Sequence, residues 1–98
     1  MIMGLARRIW RRRMKRKLKI VLADERRFEG TPVEIVEQMK YRAWGWEDKP
    51  LGEYIDWAAE QLKAQFGIDI DTSGETDEAK AERFVEQLIE RGFAREVE

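Results

Sequence analysis

The sequence predicts an α+β fold: a small single domain with an N-terminal β-hairpin, then three amphipathic helices and a candidate short C-terminal strand. Three observations carry this prediction. Apolar and polar residues alternate between Lys17 and Ala23, three later stretches repeat apolar residues at helical spacing, and glycine or proline bounds each of them. At 98 residues the chain suits one hydrophobic core, because two smaller cores would not each offset their chain entropy.

Leu18, Ile20 and Leu22 alternate with Lys17, Lys19 and Val21, the pattern of a strand with one buried face. Asp24 and Glu25 then punctuate the chain. Arg26 to Glu29 returns as a second strand anchored by Phe28, and Gly30 releases the chain before Thr31. Thr31-Pro32-Val33-Glu34 reads as a helix start: Thr31 caps, Pro32 sits where a missing N–H costs nothing, and Glu34 completes a capping box. Val33, Val36, Met39 and Ala43 continue at helical spacing and Gly45 marks the stop after Trp44, which gives a first helix over 32–44.

Beyond the loop from Trp46 to Pro50, the residues Leu51, Tyr54, Ile55, Ala58, Leu62 and Phe66 trace one stripe, and Gly67 stands where a C-terminal cap is expected. Ile68 and Ile70 follow and are expected to tuck into the core. A third helix begins near Thr76, with Asp77 and Glu78 complementing its dipole, and presents Ala81, Phe84, Val85, Leu88 and Ile89 before Gly92. Phe93 to Val97 is the candidate closing strand, rejoining the hairpin. The chain thus divides into a basic arm over residues 1–16 and a compact α+β domain over residues 17–98.

Charge is split along the chain. Residues 1–23 carry nine Lys/Arg and no acid, a charge of +9, whereas residues 24–98 carry ten Lys/Arg against twenty Asp/Glu, a charge of −10. The arm places Arg7, Arg8, Arg11, Arg12, Arg13, Lys15, Arg16, Lys17 and Lys19 around Trp10. Dense cations neutralise phosphates and an indole stacks on an unpaired base, so association with nucleic acid or another polyanion is the first functional expectation. Wound as a helix, Ile2, Leu5, Ala6, Ile9 and Trp10 would share one side, which also suits an anionic membrane surface. Two plainer readings compete: the arm neutralises the acidic body, or translation starts at Met14 and residues 1–13 are an extension.

The alternative expectation is a protein-interaction or assembly module, with a protein partner or self-association. Tyr41, Trp44, Trp46, Tyr54 and Trp57 all fall in or beside the first two helices. Tyr54 lies on the apolar stripe, but Trp57 is rotated well off it and Tyr41 falls on the polar side, which makes Tyr41 and Trp57 the candidates for an exposed docking surface. A third expectation concerns the acidic loop from Asp69 to Lys80. It spaces oxygen ligands as a calcium loop does, with Asp69, Asp71 and Ser73 as candidate metal ligands and Gly74 at the turn. Lys80 stands where such a loop needs its bidentate glutamate; the plainer reading is an acidic turn capping the third helix.

The chain has no histidine and no cysteine, which removes the usual general base, disulfides and thiolate-bound metals. A non-enzymatic binding protein without a cofactor is therefore expected. With no long apolar run and no secretory leader pattern, a soluble cytoplasmic location without a membrane span is expected too.

Overall fold

β1 (Leu18–Leu22) takes the centre of a three-stranded antiparallel sheet, with β2 (Arg27–Gly30) on one side and β3 (Ala94–Glu96) on the other. The sequence LKIVL suits that place, since a central strand is hydrogen-bonded along both edges and is the most enclosed of the three. The computed structural model describes residues 17–97. Ile20 pairs with Phe28, Leu18 with Gly30 and Leu22 with Ala94, which aligns the apolar residues of all three strands on one face.

The hairpin closes through residues 23–25. The Leu22 N–H donates to the Arg26 carbonyl and the Glu25 N–H to the Leu22 carbonyl, both at 2.9 Å, and Glu25 takes a left-handed φ of 71°. This is the three-residue hairpin loop in which a tight turn is followed by one left-handed residue.

Three helices cover the apolar face: α1 (Pro32–Arg42), α2 (Leu51–Phe66) and α3 (Asp77–Glu90). The expected element order, including the closing strand, is the observed one. The capping box at α1 is complete, with the Thr31 N–H donating to Glu34 Oε1 at 2.9 Å and the Glu34 N–H to Thr31 Oγ1 at 3.2 Å. Thr76 caps α3 through the Ala79 N–H at 3.0 Å. Gly92, at φ 78°, ends α3 in the left-handed region, and the Phe93 N–H then reaches back to the Leu88 carbonyl at 2.9 Å. That reversal is what returns the chain alongside β1.

α3 packs against both other helices and against β3, and its Phe84, Val85 and Leu88 are almost wholly buried. With Ile20, Ile35, Val36 and Ile55 they form the centre of the core. Ile70 is buried and Ile68 half-buried, as the sequence suggested. Among the described residues one polar side chain joins them: Gln87 accepts the Asp71 N–H at 2.8 Å and donates to the Asp71 carbonyl at 2.6 Å, clamping the α2–α3 connection to α3.

Four sequence expectations are corrected. α1 ends at Arg42 instead of Trp44, because the Ala43 backbone is already extended, at ψ 118°. Ile35, left out of the expected stripe, is fully buried, since it and Val36 straddle the line where α1 meets the sheet and α3. Phe66 is 60% exposed instead of buried; it is the last residue of α2 and meets only the Phe93 ring, at 5.4 Å, among the described aromatics. Val21, expected on the polar side with Lys19, is 1% exposed between its cross-strand neighbours Arg27 and Arg95. No helix among the described residues is long and apolar enough to cross a membrane.

Candidate functional site

α2 is apolar over more of its circumference than the core can cover. Tyr54, Ile55, Ala59 and Leu62 turn inward, while Trp57, Ala58, Gln61, Gln65 and Phe66 form a shoulder beside them. Between that shoulder, the β1–β2 loop and the C-terminal end of α1 lies a groove of about 540 Å³. Its floor is Met39, Leu62, Phe84 and Leu88, and Phe66 and Phe93 lie along it as well.

Tyr54 and Trp57 line one part of its wall, and a third ring packs against both of them. Trp46, from the α1–α2 loop, stands 5.2 Å from Trp57 and 5.8 Å from Tyr54 between ring centroids, and Tyr54 and Trp57 are 5.9 Å apart. Each separation falls in the range where tilted and edge-on aromatic pairs attract. The loop is held from α1: Lys40 Nζ donates to the Trp46 carbonyl at 3.1 Å and to the Glu47 carbonyl at 2.9 Å. Trp57, packed on one side, remains 38% exposed on the other.

The groove also has a cationic part. Arg26 lines it, oriented by Asp24, whose carboxylate takes the Arg26 Nε–H at 2.7 Å and the backbone N–H at 3.2 Å. Arg42 lies over the Phe28 ring, 4.9 Å from its centroid, and has no carboxylate within ion-pair distance among the described residues. Tyr54 is 7% exposed, yet its hydroxyl has no hydrogen-bond partner among the described residues. Burial pushes the Tyr54 phenol above its ordinary pKa, and the nearby Arg26 charge opposes that shift. With no hydrogen-bond partner among the described residues, the Tyr54 phenol lines the same groove as Arg26 and Arg42 and can donate to an acceptor brought there.

Of the residues the sequence singled out, Tyr41 and Trp57 are both exposed, Tyr41 at 78%. They do not share a site. Trp57 belongs to the groove, and Tyr41 to an adjoining shallow depression with Glu34, Glu37 and Gln38; Arg42 borders both. Trp44, at 96%, is the most exposed aromatic described, and the sequence reading missed it by extending α1 through it. Arg26, Arg42 and Phe66 were missed as well. A cation two residues after a turn acid, as in Asp24-Glu25-Arg26, was the available signal for the first of them.

Arg7, Arg8, Trp10, Arg11, Arg12, Arg13, Lys15 and Arg16 lie outside the described residues. Lys17 and Lys19 lie within them and are exposed; Lys19 shares the sheet face away from the helices with Arg27 and Arg95. At the candidate metal loop, Asp71 uses one carboxylate oxygen to accept the Ser73 N–H at 2.8 Å and the other to meet Arg83 at 3.2 Å. Those hydrogen bonds, the Ser73 contacts foremost, hold its carboxyl below the ordinary pKa. Among the described residues no group of three or more carboxylates is placed to hold a metal ion. The loop is tied to α3 by Gln87 and Arg83.

No family model, curated protein or solved structure matches this chain.

Proposed function

We propose that this protein is a binding module that receives a segment of another polypeptide in the groove between α2 and the β1–β2 loop. The observation that carries this reading is the pairing of half-exposed Trp57 and largely exposed Phe66 with a concave apolar floor. Burying such a side chain from full exposure contributes about 1.5–3 kcal/mol, so covering the exposed part of Trp57 or Phe66 contributes roughly half of that each, and aromatic anchors in a pocket dominate interfaces of this kind. The absence of histidine and cysteine supports a binding role over a catalytic one.

Selection of a displayed random-peptide library on the full chain tests this reading. Enrichment of a motif containing a large apolar residue is expected, with loss of capture in Trp57→Ser and Phe66→Ser and an unchanged circular-dichroism spectrum. Selected peptides that bind these variants as well as the parent would defeat the reading.

A second reading, association with nucleic acid or another polyanion, is favoured by one observation: Lys19, Arg27 and Arg95 outnumber the single acid Glu29, which pairs with Lys19, on one sheet face immediately after the basic arm. Binding to a single-stranded oligonucleotide is then expected to weaken with salt by a log–log slope of about −0.7 per phosphate neutralised. The double variant Arg27→Glu, Arg95→Glu reduces that slope; a slope left unchanged counts against this face.

A further inference from the structure

Resting on the groove reading, we infer that the occupant is an extended polypeptide segment in which a bulky apolar residue is followed closely by the side-chain carboxylate of an internal Asp or Glu. The apolar residue meets Trp57 and Phe66, and the carboxylate is taken by Arg42, Arg26 and the Tyr54 hydroxyl.

Three features select an anion. The Arg42 guanidinium, spread over the Phe28 ring, has no carboxylate partner among the described residues, so its N–H groups are available to a ligand. Arg26 spends its Nε–H on Asp24, which fixes the side chain, and the outer edge of its fork meets no acceptor among the described residues. Tyr54 supplies a buried hydroxyl that donates without adding charge. These donors surround a cleft in a domain that is otherwise acidic, with ten Lys/Arg against twenty Asp/Glu over residues 24–98. An acidic segment is therefore drawn to this cleft in preference to the acidic helical surface around it.

An internal residue is preferred to a chain end because Arg42 borders two surfaces at once. A segment leaving the groove at Arg42 continues onto the depression that carries Tyr41, where its next residues find another exposed aromatic face.

The test titrates the isotope-labelled full chain with acetyl-Leu-Phe-Glu-Leu-amide and with its Gln counterpart at low ionic strength, following the resonances of Tyr54, Trp57 and Arg42. The Glu peptide is expected to bind about tenfold tighter, as a charge-assisted contact does in a half-open site. Arg42→Met, which keeps an unbranched side chain over Phe28, and Tyr54→Phe each shrink that preference while the Gln peptide binds as before. Trp57→Ala weakens both peptides alike. Equal affinity for the two peptides overturns the carboxylate and leaves the groove reading standing; shifts elsewhere, or none at millimolar peptide, overturn both. Tighter binding of acetyl-Leu-Phe-Gln with a free terminal carboxylate assigns the site to chain ends and overturns the proposal. So do groove resonances that move with protein concentration alone, which assign it to a second copy of the chain.

Discussion

Replacing Gln87 by Met removes the one buried side-chain amide while keeping a similar length and volume. In the native structure that amide makes a two-point contact with the Asp71 peptide, at 2.8 Å and 2.6 Å, and Nε2 also approaches the Arg83 carbonyl at 3.4 Å. Gln87 is 8% exposed, so water reaches the orphaned Asp71 N–H and carbonyl poorly once the amide is gone. A lost hydrogen bond costs about 0.5–1.5 kcal/mol and an orphaned buried group about 1–3 kcal/mol. Because the contact is only partly buried, about 1 kcal/mol for each of the two bonds is the appropriate end of those ranges, about 2 kcal/mol in all.

For a domain of this size that corresponds to a fall in Tm of roughly 8–16 °C. Urea unfolding should show a lower midpoint with an unchanged slope, since the surface exposed on unfolding is the same. Gln87→Glu is the sharper variant. It keeps an acceptor for the Asp71 N–H but sets a carboxylate against the Asp71 carbonyl, so it should be less stable than Met at pH 7 and recover as the new carboxyl protonates in acid. Hydrogen exchange at the Asp71 amide should accelerate selectively in Gln87→Met, which removes its acceptor. A loss below about 0.5 kcal/mol in Gln87→Met, smaller than one net hydrogen bond, refutes the clamp.

Other perturbations address the capping box, the aromatic wall and the hairpin. The Glu34 carboxyl is held below its ordinary pKa chiefly by the Thr31 backbone and side chain, so its contribution is complete above the unfolded pKa, near 4.5, and is lost as pH falls through the lower folded value. Thr31→Ala should cost about 1 kcal/mol at neutral pH and raise the Glu34 pKa only part of the way toward the ordinary carboxylate range in an NMR titration, because the backbone N–H at position 31, the larger cause, is retained; a Glu34 pKa that does not move at all contradicts a share for the Thr31 side chain. For Asp56, burial opposes ionisation, but Lys80 and Thr72 outweigh it and lower the pKa, so it too stabilises above the unfolded value and adds to acid sensitivity. Lys40→Met releases the carbonyls of Trp46 and Glu47; a red-shifted, more quenchable tryptophan emission is expected with the helical content retained, and unaltered quenching would mean that the loop holds Trp46 without Lys40. Glu25→Gly removes the left-handed penalty at φ 71° and should stabilise the hairpin by about 0.5–1 kcal/mol in urea, whereas a loss of stability would show that the Glu25 side chain matters more than its backbone.

Much of the architecture was legible because its determinants are local. The alternation over Leu18, Ile20 and Leu22, the Thr31–Glu34 box, the Thr76 cap and the glycine before Phe93 each fix a few backbone torsions through neighbours only a few residues away. The candidate site was legible only in part. Trp57 and Tyr41 were placed correctly on exposed surface by rotation about their helix axes, but their assignment to separate depressions that meet at Arg42 depends on how α1 and α2 lie across the sheet.

By itself, the sequence determined the order of strands and helices, where each helix starts, and which stripe of α3 turns inward, since periodicity and capping are written into short windows. Only the tertiary structure decided that Phe66 emerges at the end of its stripe, that Val21 is enclosed on the outer sheet face, and that Gln87 reads the Asp71 peptide. It also decided that Arg26, Arg42 and Tyr54 converge on one groove. Their positions span the hairpin loop, α1 and α2, and no local period links residues 26, 42 and 54. Helical spacing fixes the direction in which a side chain leaves its own axis, while what it meets there is set by the packing of distant elements, and those contacts turn an apolar shoulder into either core or binding surface.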